Sequence, residues 1–268
     1  RTISMQPNDT WAQVTDTVVY GVASTKGVYF RPNEYSGVST RRENHATLEG
    51  QVPHLPGSGH GSSQKITIAY WGRLETDPGN TKPIFEIGHD DPDDNNARPK
   101  FRVDLNSNRH FIVMVQNGVD TPAKKWTSSK VVEDKERFLL VISYDGSSAS
   151  AVPVAQINGV TTGWTADHTD ESATLTAIAG QDYLTIGGGR TTDGDGHAAY
   201  YDLMLHEVAY WNDTLTSNQM LALGGWSTAP DDNASAPSQM VNLGESLTGG
   251  HPLVMGGALK EPFSWWRM

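Results

Sequence analysis

The chain is 268 residues long, carries a net charge of −11 (20 Lys and Arg against 31 Asp and Glu), and contains no cysteine. That charge opposes nucleic-acid phosphates, because only the short pairs Arg41-Arg42 and Lys124-Lys125 stand against it, and both read as solvated loop charges. The lack of cysteine excludes a disulfide framework and any thiolate metal site, and no apolar run approaches the ~18 residues that a membrane span needs.

Arg1 to Asn8 has no apolar signal core, and a first residue that is not Met predicts a trimmed N-terminus. Val18–Val22 and Gly27–Phe30 are short strand candidates, and Gln51–Ser63, rich in Pro, Gly, Ser and His, reads as a loop. Lys65–Leu74 (KITIAYWGRL) places Ile66, Ile68 and Tyr70 on one parity, as a half-buried strand requires. Phe101, Val103 and Leu105 alternate with Arg102 and Asp104. Phe111, Val113 and Val115 follow, ending at the turn Asn117-Gly118. Further strands are predicted at Phe138–Tyr144, closed by Asp145-Gly146; at Val152–Ile157, closed by Asn158-Gly159; at Tyr183–Ile186, before three glycines; and at Tyr200–Trp211.

One short helix is predicted near residues 216–224. Thr216 and Gln219 fit a capping box, Leu215 and Met220 a hydrophobic staple, and Gly224-Gly225 a stop. The whole predicts an all-β fold, a two-sheet antiparallel β-sandwich over residues 1–226. Residues 227–268 form a Gly-, Pro- and Ser-rich tail ending in PFSWWRM. The adjacent Trp265 and Trp266 predict that the tail packs on the sandwich or on a partner.

The succession FLLVISYDG, VAQING, YLTIGGG, LMLHEVAYWND and LTSNQMLAL over residues 136–224 resembles the second half of laminin-G-like domains of the concanavalin A-like, jelly-roll type. Glu207 and Val208 match that pattern, while His206 stands where the family usually has Asp. GVYFRPNEYSGV and KITIAYWGRL resemble its earlier strands, so the likeness spans about residues 25–224. The resemblance implies a jelly-roll fold that hosts lectins, adhesion modules, lyases, glucanases and virion surface proteins. It implies an extracellular or virion-surface setting.

Catalytic signatures are missing. The Glu-x-Asp-x-x-Glu run that the resemblance implies for glucanases is absent, and Gln51-Val52-Pro53-His54 is not the Gln-(Ile or Val)-His triplet that it implies for alginate lyases. The acids Glu75, Glu86, Asp104 and Glu207 stand singly on or near strands, and the nine histidines show no ligand spacing. A non-catalytic module is therefore expected, with a polysaccharide lyase or glycoside hydrolase as the enzymatic alternative. Calcium is the expected cofactor if there is one, because hard cations want clustered oxygen ligands. Asp90, Asp91, Asp93, Asp94 and Asn95 form one candidate loop, and Asp193 and Asp195 another. For sugar, the aromatics in or beside predicted loops are the candidates: Trp126, Trp164, Tyr200 and Tyr201. Trp71 and Trp211 fall inside strands and read as core. The expected partner is a carbohydrate, or a protein assembly such as a phage capsid or tail, in which the chain is an oligomeric component. Neither nucleic acid nor membrane is expected.

Overall fold

The computed structural model describes residues 4–5, 13–19, 22–30, 46–48, 64–74, 81–90, 97–115, 124–133, 135–169, 181–187, 189–190, 197–198, 203–211, 213–231 and 264–267. In chain order the strands are β1 Ser4–Met5, β2 Gln13–Val19, β3 Val22–Phe30, β4 Ala46–Leu48, β5 Lys65–Leu74, β6 Lys82–Asp90, β7 Ala97–Leu105, β8 His110–Val115 and β9 Lys124–Val131. They continue with β10 Arg137–Asp145, β11 Val154–Ile157, β12 Val160–Thr161, β13 Trp164–Thr169, β14 Gln181–Ile186, β15 Gly189–Arg190, β16 His197–Ala198 and β17 Leu203–Trp211. The helix α1, Ser217–Leu223, and the strand β18, Ser264–Arg267, complete the set.

Two large antiparallel sheets hold nearly all of them. The first runs β1-β4-β14-β6-β7-β8-β9-β13, and the second runs β12-β11-β10-β5-β17-β3-β2, with β18 also paired to β17. This is the two-sheet antiparallel sandwich that the alternating runs predict, in the jelly-roll form that the resemblance implies. Between the sheets lies one apolar core, built from the inward parity of both: Phe85, Phe101, Phe111, Val113 and Trp126 from the first sheet meet Ile68, Tyr70, Phe138, Tyr144 and Tyr210 from the second. Aromatic rings bridge the layers, Phe111 to Phe138 at 5.5 Å and Trp126 to Tyr144 at 5.8 Å between centroids. Such pairs add about 0.5–1.5 kcal/mol each beyond the area they bury.

The second sheet is apolar on its other face too. Ala69 and Trp71 of β5, Leu139 and Val141 of β10, and Ala209 and Trp211 of β17 form a separate buried cluster beneath Leu215, Met220 and Leu223 of the helical segment. The central strands therefore read as near-continuous apolar runs, FLLVISY above all, because both of their faces are covered. Trp71 and Trp211 are core residues, under α1 rather than between the sheets.

Several predicted elements move. Val18–Val22 is divided between two strands: β2 ends at Val19, β3 begins at Val22, and those two residues pair antiparallel. Clustered valines on both sides of a hairpin tip mimic one apolar run. The strand β6, around Glu86, is not among the strands delimited from the sequence, and β9 and β13 occupy segments read as lying in or beside loops. Lys124 and Lys125, read as solvated loop charges, lie on β9. Lys124 is buried, with its ammonium donating to the Ala149 carbonyl, and an aliphatic stem lets a lysine enter a core when the head finds an acceptor. Residues 51–63 and the turn Asn117-Gly118 lie outside the described residues. Within the segment 227–268, β18 pairs with Glu207–Tyr210 of β17.

Candidate functional site

The first sheet turns its second face away from the core, and that face is polar. Because Phe101, Val103 and Leu105 point inward, Arg102 and Asp104 point outward; Ile112 and Met114 of β8 and Lys125 and Thr127 of β9 share that parity. Register aligns them into rows. One row runs Glu86, Arg102, Met114, Lys125 from β6 to β9, and the next runs Asp104, Ile112, Thr127, Thr165 from β7 to β13.

Burial grades along the rows. Glu86 and Asp104 are buried, Arg102 is a quarter exposed, and Lys125 and Asp167 are about a third exposed. The Arg102 guanidinium is held by Asp104 through two bonds, Nε donating to Oδ1 at 2.6 Å and Nη2 to Oδ2 at 3.0 Å, while Nη1 lies 3.8 Å from Glu86 Oε2. Two-point pairing of this kind fixes the plane of an arginine. Burial pushes the Asp104 carboxyl above the usual carboxylate range, against the opposing pull of Arg102 and Lys125. At the open end, a bulge in β13 presents Asp167, which accepts from Thr127 Oγ1 at 2.7 Å and pairs with Lys125 Nζ at 3.4 Å. The Thr127 hydroxyl, and then the Lys125 charge, hold Asp167 below the usual range. The face thus offers a fixed guanidinium, an ammonium, a hydroxyl and a carboxylate beside the apolar Met114.

Two clefts lie at opposite ends of β9 and β10. One, of about 540 Å³, lies between Lys124, Trp126 and the connection from Ser148 to Val152. The other, of about 570 Å³, lies between the end of β9, the start of β10 and the β11–β12 hairpin.

Of the residues expected to bind sugar, Trp126 and Trp164 lie on the paired strands β9 and β13 and turn toward the core. Trp126 sits on β9 with its ring in the core against Tyr144, so only 3% of it is exposed and it cannot offer a stacking face. Its strand pattern, KKWTSSKV, hides an inward parity because Lys124 and Ser128 flank it there. Trp164 begins β13 and is half-buried against the same core, with Nε1 buried and unbonded. Tyr200 and Tyr201 lie outside the described residues. Of the first calcium loop only Asp90 is placed, as the last residue of β6; Asp91, Asp93, Asp94 and Asn95, and with them Asp193 and Asp195, lie outside the described residues. Among the described residues no group of three or more His, Cys, Asp or Glu side chains gathers as a metal site, and no helix is long and apolar enough to cross a membrane.

What the chain alone only partly revealed is the row itself. Arg102 and Asp104, two apart on an alternating strand, necessarily share a face; Glu86 joins them only once β6 is placed beside β7.

A two-sheet jelly roll with a polar outer sheet face defines a lectin-like class of protein. The family model described as the concanavalin A-like lectin/glucanases superfamily matches residues 47–220, and the chain belongs to that superfamily. No curated protein matches the sequence. Among solved structures, the chain is similar to a heptameric SAP-like pentraxin from Limulus polyphemus, at 15% identity and TM-score 0.44, covering 67% of this chain and 78% of the pentraxin. It is also similar to the CBM40 of the Ruminococcus gnavus IT-sialidase bound to α2,3-sialyllactose (13% identity, TM-score 0.44, 66% of this chain and 94% of that one). A third likeness is to a Trypanosoma rangeli sialidase (14% identity, TM-score 0.47, 75% of this chain), of which this chain spans 27%.

Proposed function

We propose that the chain is a non-catalytic glycan-binding module and that the outer face of the first sheet, around Arg102, Met114, Lys125 and Thr127, is its binding surface. The observation that carries this reading is the graded row from β6 to β9: buried acids fix Arg102, while Lys125, Thr127 and Asp167 stay open to solvent. Sugar hydroxyls need both donors and acceptors held in place, and the apolar side of a pyranose needs a flat apolar contact; the row supplies fixed donors and acceptors, and Met114 the contact. Pairing with Arg102 commits Asp104 to a structural ion pair, which argues for binding over acid catalysis. Calcium at residues 90–95 or 193–195 is a further part of this proposal, as a cation that steadies neighbouring loops.

A glycan array, read with calcium and again with chelator, tests it. At least one neutral glycan is expected to bind, and Lys125→Ala is expected to weaken that binding by about fivefold, the worth of one charge-assisted hydrogen bond at a partly exposed site. Undiminished binding by Lys125→Ala would remove the site from this face. Absence of binding in both conditions would favour a role in a protein assembly such as a virion surface. Cleavage of any polysaccharide on a panel would overturn the non-catalytic assignment.

A further inference from the structure

The 570 Å³ cleft holds a cation that the fold does not use. Arg137 opens β10 and lines this cleft with Val131, Glu136, Val160 and Thr161. Its Nε is buried without a hydrogen-bond partner, and among the described residues no hydrogen bond or ion pair engages the rest of the guanidinium. Glu133, also in the cleft, is committed elsewhere, to Arg109 at 3.0 Å.

Two features hold the group in this position. Its guanidinium carbon lies 6.0 Å from the centroid of the Trp71 ring, and Trp71 is fully buried, so the side chain rests on a rigid aromatic floor. Its partner in register across β5 is Arg73, whose Nε donates to the Lys135 carbonyl at 2.9 Å. Like charges directly opposite on neighbouring strands repel. An anion beside them removes that repulsion and gives the Arg137 Nε an acceptor. The planar fork of a guanidinium matches a carboxylate in shape. Around it, the Thr161 hydroxyl and the Glu136 carboxylate suit sugar hydroxyls, Val131 and Val160 suit a sugar's C–H face, and the volume lies in the range of small-ligand sites.

We propose that this cleft binds the carboxylate of an acidic sugar, with Arg137 as the residue that grips it. The proposal takes the saccharide class from the glycan-binding reading but places it on a different surface, so each can fail without the other.

Calorimetry on the full chain tests it, with trigalacturonate as the probe, its methyl ester as the uncharged control and inorganic sulfate as the competing anion. Trigalacturonate is expected to bind, and its methyl ester to bind about tenfold more weakly or worse, the loss expected for one charge-assisted pair. Arg137→Gln is expected to show the same loss toward trigalacturonate. Arg137→Lys keeps the charge and the stem over Trp71 but loses the fork, and should also bind less tightly; it decides the matter if Arg137→Gln fails to fold. Equal affinity of the wild type and either folded Arg137 variant overturns the proposal. So does the absence of binding at millimolar trigalacturonate. Sulfate bound as tightly as the uronate marks a general anion hole and overturns the sugar assignment. Loss of binding in Lys125→Ala together with full binding in Arg137→Gln moves the acidic ligand to the sheet face.

Discussion

Tyr70 and Tyr144 carry hydroxyls into the core between the sheets, and neither hydroxyl has a hydrogen-bond partner. Burial pushes the Tyr144 phenol up to about 12, and that of Tyr70 further, so both stay neutral. Leaving such a group unmade costs about 1–3 kcal/mol. What offsets the cost is the ring: Tyr70 lies parallel to Phe138 at 5.9 Å, and Tyr144 touches both Phe101 and Trp126 near 6 Å. Tyr70→Phe keeps the ring and removes the orphan oxygen, so it should raise stability by about 1 kcal/mol in a urea melt with an unchanged slope. Tyr70→Ala should instead cost about 3–5 kcal/mol by opening a cavity. A destabilised Tyr70→Phe would mean that the hydroxyl has found a partner. The same logic separates these tyrosines from Arg137. An orphan group sealed in a core has only a cost, whereas one that lines a cleft is open to a ligand.

At the scale of elements, α1 is held by signals local to its own sequence. Thr216 Oγ1 accepts from the Gln219 amide at 3.3 Å, and the Thr216 amide donates to Gln219 Oε1 at 2.8 Å, so the capping box is closed both ways. At the other end, left-handed backbone falls at Gly225 (φ +77°) and not at Gly224, where glycine is needed for space: a Cβ there would stand 2.0 Å from the Trp226 ring. That ring also crowds Gly159, in the turn between β11 and β12, so Trp226 clamps the helix end to the sheet. Thr216→Ala should lower stability by about 1 kcal/mol. Gly224→Ala should cost more, because Trp226 must leave its seat, and Trp fluorescence should shift toward that of an exposed indole. An unshifted spectrum in Gly224→Ala would show that the clamp is not rigid. The helix was legible in the sequence because its evidence lies within ten residues. The strands β6, β9 and β13 were not, for two physical reasons. Bulges at Pro83/Phe85 and Ile87/Gly88 break the two-residue period of β6, and the one between Ala166 and His168 does the same to β13. On β9 the inward positions include Lys124 and Ser128, polar residues whose burial depends on distant partners, the Ala149 carbonyl and the Phe111 amide. Trp126 was therefore assigned to a loop and to sugar. The site was half legible for the same reason: Arg102 and Asp104 share a strand, but Glu86, Lys125 and Asp167 reach them only through pairing.

The whole molecule is a sandwich in which one strand organises the layers. β17 faces the inter-sheet core through Val208 and Tyr210 and the helix layer through Ala209 and Trp211. One of its edges is fully paired with β5; the other is divided, with Leu203–Leu205 against β3 and Glu207–Tyr210 against β18. A bulge between Leu205 and Glu207 falls at that division, where the strand changes partners. Residues 264–267 thus close an edge that β3 leaves open, in a strand whose side chains from Glu207 to Trp211 are buried. An unpaired edge on such a strand presents free amides and carbonyls to any other chain. Removing residues 264–268 should therefore do two things at once. Stability should fall by on the order of 2–4 kcal/mol, at about 1 kcal/mol net for each lost backbone hydrogen bond. The truncated chain should also self-associate through the freed edge of β17, seen as a rise in mass by light scattering that grows with concentration. A truncated chain that melts at the wild-type temperature and stays monomeric would mean that β18 adds nothing to the sheet.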